Sequence, residues 1–245
     1  MLLRMTALAA LAVGLFGLAG GTALSQDKKD PKETPKEVSK LKPADQEKVK
    51  KALGEVQDFI GQWNLEGTQK DGTKTIAWKE KVSWGWNFKG DPSLTADFAE
   101  GKGKYYTGGS LKYDLDKKLY LLSLAGADKT EQVFEGKLGK DGGLKLERKD
   151  AKTGDIYRLT LNTLSEGDKF QVKFEKQDGG KGLFNNVFAM NGLKEGAGGV
   201  GVKKPECIVS GGAANMAVQF NGKTYYVCCT GCRDEFNANP KKYAK

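Results

Sequence analysis

The stretch IAWKEKVSWGWNF, residues 76–88, indicates the fold class of this chain. Its six large apolar side chains all occupy even positions, and most of the side chains between them are charged or polar. A period of two is typical of a β-strand that buries one face. The stretch therefore predicts one long strand, or two strands with a bend at Gly85.

The same alternation recurs downstream, and each run is followed by a turn signal such as Asp141-Gly142-Gly143. Because no helical pattern separates these runs, they predict an antiparallel up-and-down meander, and roughly eight to ten such strands suffice to close a barrel. We therefore expect a mainly β protein. The runs are residues 94–98, 111–115, 119–124, 133–138, 144–146, 157–161 and 170–174.

A short helix is predicted in front of the barrel. Val49, Leu53, Val56 and Ile60 follow one another at i, i+4, i+7 and i+11, which is one apolar stripe of a helix. We expect this helix to end near Ile60. Residues 44–193 are then one domain, composed of the helix and the barrel.

The first residues have the composition of an export signal. Arg4 precedes an apolar stretch at residues 7–18, and small residues follow at 23–25. The stretch is too short and too rich in glycine to span a bilayer, which needs about 20 apolar residues. We expect residues 1–25 to be a signal peptide, no integral membrane segment after its cleavage, and an extracytoplasmic protein, either periplasmic or secreted. Residues 26–43 are rich in Lys, Glu, Asp and Pro, which predicts a disordered tether.

Composition removes several classes of function. The chain has no histidine, which excludes Ser-His-Asp and Cys-His catalysis and any His-ligated metal. Its net charge of +9 is spread along the chain rather than concentrated in a basic block, so we expect no nucleic-acid partner. No nucleotide-binding glycine pattern or nucleophile–base pair is present. The sequence therefore predicts a binding protein and not an enzyme.

The four cysteines all lie in a C-terminal module, residues 205–245, behind a glycine-rich linker at residues 194–204. Asn221-Gly222 predicts a type I′ hairpin, and Cys232 is expected to open a short helix through Phe236. The spacing Cys-x20-Cys-x3-Cys then takes side chains from a loop, a strand end and a first helical turn, as in treble-clef zinc modules. Because the linker is glycine-rich, we expect module and barrel to behave as independent units.

The barrel region resembles the lipocalin-like, calycin-type barrels of exported bacterial proteins. The resemblance rests on the helix followed by Gly61-Gln62-Trp63 and covers residues 59–193. It implies an interior that either holds a small apolar ligand or is filled by core side chains. Related barrels that bind haem use a histidine, which this chain lacks.

The C-terminal module resembles the YHS domain and its TRASH relatives. The residues that carry the resemblance are 221–228, NGKTYYVC, 231–236, GCRDEF, and 239–243, NPKKY. The resemblance implies binding of a heavy metal, with Cys207, Cys228 and Cys232 as the ligands. Thiolates without histidine favour zinc or copper as Cu(I). The signature histidine is absent, and Ser210 replaces a second knuckle cysteine, so the site is three-coordinate, completed by water or a partner, or degenerate.

Cys229 has three alternative interpretations: a buried small residue, a ligand in Cys229-x2-Cys232, or a disulfide partner of Cys207. Neighbouring residues on a strand point to opposite faces, which argues against Cys228 and Cys229 holding one ion. The whole cysteine set also has an alternative, because exported proteins usually pair their cysteines. In that case the barrel would carry a small apolar ligand, and the module would be a disulfide-stapled appendage without metal.

Overall fold

The computed structural model describes residues 40–197 and 204–244. The predicted signal peptide, residues 26–39 of the predicted tether and residues 198–203 of the predicted linker lie outside the described residues. Within the described ranges, no helix is both long and apolar enough to cross a lipid bilayer.

The described chain contains three α-helices and twelve strands, with short 3₁₀ turns at Gln57–Phe59, Ala99–Gly101 and Asp178–Gly180. The helices are α1 (Pro43–Gly54), α2 (Thr230–Ala238) and α3 (Pro240–Tyr243). The strands are β1 (Gly61–Asp71), β2 (Lys74–Asn87), β3 (Ser93–Phe98), β4 (Tyr106–Asp114), β5 (Leu119–Gly126), β6 (Glu131–Leu138), β7 (Leu144–Lys149), β8 (Ile156–Leu164), β9 (Lys169–Gln177), β10 (Asn185–Lys194), β11 (Met216–Phe220) and β12 (Lys223–Val227).

Strands β1 to β10 form a closed antiparallel barrel in which each strand pairs with the next. The barrel closes through β1 and β10, where Trp63 lies opposite Lys194. Closure removes the unpaired edges that an open sheet would leave. The predicted mainly β fold and up-and-down barrel are confirmed, and β2 is one continuous strand without a break at Gly85.

Aromatic and branched side chains fill the barrel. Val82, Trp84 and Trp86 of β2 are all buried, as the alternation predicts. Trp63 stacks on Phe170 with ring centroids 5.0 Å apart. The internal cavity has a volume of about 20 Å³ and an almost wholly apolar lining. That is close to the space of one water molecule, so an apolar ligand would require these side chains to rearrange.

Helix α1 is shorter than the sequence pattern predicts. It ends at Gly54, and a 3₁₀ turn, Gln57–Phe59, leads into β1. Val56 and Ile60 are nevertheless buried together with Val49 and Leu53. The apolar stripe therefore predicts burial correctly, although its second half is not α-helical.

The C-terminal module packs on the barrel, so the expectation of two independent units is wrong. Helix α2 contacts β2, and the described residues, 40–197 and 204–244, belong to one compact unit. At the closest approach, a Cβ placed on Gly231 would lie 1.6 Å from the backbone oxygen of Trp86. Glycine composition indicates a linker, but it does not report whether the segments it joins contact each other.

Candidate metal centre

The three predicted ligands come from three different local structures. Cys207 opens a tight turn in which its N–H donates to the Gly212 carbonyl at 2.7 Å and its own carbonyl accepts from Gly211 at 2.8 Å. Cys228 directly follows β12, and Cys232 lies in the first turn of α2. The hairpin that delivers Cys228 turns at Asn221 and Gly222, whose φ angles of 50° and 74° are those of the predicted type I′ turn.

The structure brings these three side chains together. The Sγ atoms of Cys207, Cys228 and Cys232 all lie within 4.8 Å of one another, and those of Cys228 and Cys232 are 3.5 Å apart. Sulfurs that share a tetrahedral zinc ion at about 2.3 Å are separated by about 3.8 Å. The cluster therefore fits one soft metal ion.

Water has little access to the cluster from the module side. Cys207, Cys228 and Cys232 are 1%, 5% and 0% exposed. Behind them lies a small apolar core in which the ring of Phe236 contacts that of Tyr225, with centroids 5.3 Å apart. Burial of this kind strengthens metal–thiolate bonds and restricts competing ligands.

Ser210 occupies the position of the missing knuckle cysteine. Its Oγ lies 3.4 Å from the Sγ of Cys228, within hydrogen-bonding range for sulfur. Either group can be the donor at this distance. Ser210 therefore contacts a predicted ligand.

Cys229 also belongs to this region, which corrects the argument from strand alternation. Its Sγ lies 3.8 Å from that of Cys228. Alternation does not apply here because β12 ends at Val227 and Cys229 is already the N-cap of α2. The reversal between strand and helix brings two neighbouring thiols to one side.

The four thiols influence one another's protonation. Hydrogen bonds from Cys228 and Cys232 lower the pKa of Cys207 far below its usual range. The same two residues lower the pKa of Cys229 to about 3. The hydrogen bonds that Cys228 and Cys232 make to Cys207 raise the pKa of both donors.

All four cysteines are free thiols in the structure. The sulfur pairs at 3.5 Å and 3.8 Å are well beyond the length of a disulfide bond, which is about 2.05 Å. The three-cysteine cluster is therefore compatible with metal binding.

The barrel contributes a hydrogen bond to this region, and no sequence pattern predicts it. Strand β1 begins at Gly61, opposite Trp84, so the last residues of β2 extend past the first residue of β1. There the N–H of Trp86 donates to the Sγ of Cys229 at 3.3 Å. On the solvent side, a cleft of about 1000 Å³ runs between barrel and module and has Cys228, Cys229 and Lys194 among its lining residues.

Comparison with known proteins identifies the module. Residues 209–245 match the YHS domain family. Residues 209–245 are therefore a YHS domain, which together with Cys207 forms a three-cysteine cluster compatible with metal binding, and the domain follows a closed antiparallel barrel of ten strands.

Comparison with the curated proteins gives no match. Among solved structures, the chain is similar to the crystal structure of Rv2717c from M. tuberculosis at 15% identity and a TM-score of 0.38. The match covers 58% of this chain and 96% of that one.

Proposed function

We propose that this chain is an exported metal-binding protein that holds one soft heavy-metal ion, Zn²⁺ or Cu⁺, at Cys207, Cys228 and Cys232, for binding, sensing or trafficking. The observation that carries the proposal is the mutual distance of three buried sulfurs, all within 4.8 Å. The YHS domain match over residues 209–245 supports it independently for the region of Cys228 and Cys232, whereas Cys207 lies just before the matched residues.

The ligand chemistry favours soft ions. The cluster offers sulfur donors, whereas Mg²⁺ and Ca²⁺ require oxygen. A bound ion would supply folding energy to a domain whose own core is small. The residues of the chain position the ligands and exclude water. The turn at Cys207 and the first turn of α2 fix the sulfurs, and burial limits the access of water.

A binding role rather than catalysis fits the remainder of the chain. The chain has no histidine to act as a general base near neutral pH. Export is proposed from the composition of residues 1–25. Mass spectrometry of the protein recovered outside the cytoplasm should show an N-terminus near Gln26, whereas a chain retained inside with Met1 intact would contradict export.

The metal proposal is tested on mature protein purified without oxygen. We expect one Zn²⁺ or Cu⁺ per chain by elemental analysis and four titratable thiols after chelation. Cys207→Ser, Cys228→Ser and Cys232→Ser should each abolish stoichiometric binding. Thr224→Ser, an exposed change in the same hairpin, is the control and should bind as wild type does. Protein that has no free thiols and binds no metal would support the disulfide alternative instead.

A further inference from the structure

The position of Cys229 differs from that of the other three cysteines. Cys207, Cys228 and Cys232 are buried, whereas Cys229 is half-buried; Cys228 and Cys229 both line the cleft between barrel and module. The Sγ of Cys229 is nevertheless 3.8 Å from that of Cys228. It therefore lies between the buried cluster and solvent.

The 3.8 Å separation is the sulfur–sulfur distance of two ligands on one tetrahedral zinc ion, about 3.8 Å. Cys229 is not part of the group whose sulfurs all lie within 4.8 Å of one another. A small movement of its side chain would complete a four-sulfur shell. This arrangement suits a ligand that joins and leaves the metal more easily than the other three.

The barrel holds this sulfur in place. The Trp86 N–H donates to it at 3.3 Å. A Cβ added at Gly85 would be in ordinary contact with it, at 3.8 Å. A backbone N–H stabilises a thiolate and does not itself bind a metal ion. The contact with Trp86 therefore leaves the Cys229 sulfur able to bind an ion from the cleft side.

We infer that Cys229 is the fourth, solvent-side ligand of the metal site, and that a soft metal ion enters and leaves the buried three-cysteine cluster past it, through the cleft. The inference rests on the proposed function. During uptake, a bond from Cys229 Sγ to the ion replaces a bond to the ligand that delivered it. The proton of the thiol, where one is present, passes to water.

Ligation is tested with Cd²⁺ alone, added to reduced, metal-free mature protein. Wild type should bind one ion, with a sulfur-to-cadmium charge-transfer band of four thiolates. Cys229→Ser should still bind one ion, but with about three quarters of that intensity and at least about tenfold weaker affinity. Thr224→Ser, an exposed change in the same hairpin that keeps all four thiols, should retain the full band.

Alkylation of the wild-type protein gives a measurement that needs no variant. Iodoacetamide should modify Cys229 before the other three cysteines in the metal-free protein. One equivalent of Cd²⁺ should slow that modification by at least about tenfold, because a coordinated thiolate is a poor nucleophile.

The route is tested with Gly85→Val, which places methyl groups over Cys229 without changing any ligand. Uptake of Cd²⁺ should slow several-fold while the stoichiometry and the band stay unchanged. Unchanged uptake would overturn the route. An unchanged band in Cys229→Ser, together with unprotected Cys229 in loaded wild type, would overturn ligation by Cys229. Neither result would affect the three-cysteine proposal, which fails only if wild type binds no ion or if Cys207→Ser binds normally.

Discussion

The backbone N–H of Trp86 donates a hydrogen bond to the sulfur of Cys229, 3.3 Å away and 143 residues later in the chain. This bond joins a barrel strand to the cysteine region of the YHS domain. Close to it, Gly231 rests against the Trp86 carbonyl. A change in the module can therefore affect the barrel wall.

Gly231→Ala should separate the module from the barrel. The added Cβ would lie 1.6 Å from the backbone oxygen of Trp86, so one of the two segments must move. We expect a loss of about 1–3 kcal/mol of stability and faster alkylation of Cys229. Calorimetry and mass spectrometry measure the two effects. Gly54→Ala, where a Cβ meets nothing within 4 Å, is the matched control; equal stability of the two variants would contradict the close approach.

Two buried tryptophans should respond differently to replacement by phenylalanine. Trp63 Nε1 donates to the Phe59 carbonyl at 2.8 Å, whereas Trp84 Nε1 has no hydrogen-bond partner among the described residues. Trp63→Phe leaves a buried carbonyl unpaired and should be less stable than Trp84→Phe by about 1–3 kcal/mol. Urea unfolding followed by circular dichroism gives the difference, and equal losses would mean that the Trp63 bond contributes nothing.

Removing the whole Trp84 side chain should be far more costly. Trp84 is 4% exposed and its ring lies 5.9 Å from that of Phe59. Trp84→Ala should therefore destabilise the barrel by about 3–5 kcal/mol, measured in the same urea experiment. A near-neutral result would place this side chain outside the core.

Acid should destabilise the barrel partly through Asp155. The Gly179 N–H and then the Lys176 ammonium group lower the pKa of this carboxyl from 3.8 to about 2. A lowered folded-state pKa stabilises the native state above the unfolded value, and that contribution disappears as pH falls from about 4 through about 2. Asp155→Asn should be less stable than wild type at neutral pH, and its stability should fall less than that of wild type as pH decreases through this window. The free energy of unfolding, measured as a function of pH for wild type, Asp155→Asn and the charge-matched control Asp71→Asn, tests this prediction. The same loss of stability below pH 4 in wild type and Asp155→Asn would contradict a contribution from Asp155.

Metal should stabilise the YHS domain. An ion that binds the folded state only, at about 100 times its dissociation constant, adds about 2.7 kcal/mol. Zn²⁺ should therefore raise the unfolding temperature of the hairpin and α2, and a chelator should reverse the rise. Cys207→Ser should show no shift. A metal-induced rise of the same size in Cys207→Ser would place the ion elsewhere.

Much of the barrel could be predicted because strand alternation follows from backbone geometry. Even positions of β2 from Glu80 to Trp86 face the core, whereas Ile76 near the start of the strand is 40% exposed. Each predicted run falls within or overlaps a strand of the sheet. The sequence pattern does not predict β10. A bulge between Asn186 and Phe188 interrupts the alternation of this strand, and Asn191 and Gly192 place residues without apolar side chains in it. The end of α1 was placed too late because Val56 and Ile60 continue the apolar stripe in non-helical backbone.

The sequence by itself determined the parts that depend on neighbours along the chain: the alternating strands, the Asn221-Gly222 turn and the spacing of Cys207, Cys228 and Cys232. Local backbone preferences act over a few residues, so a pattern of a few residues reveals them. Only the tertiary structure decided that the module packs on the barrel and that Cys229 turns toward Cys228. Those contacts depend on where β1 begins relative to the end of β2 and on how α2 starts. Trp86 and Cys229 are far apart in the chain, so no local sequence pattern can predict their contact.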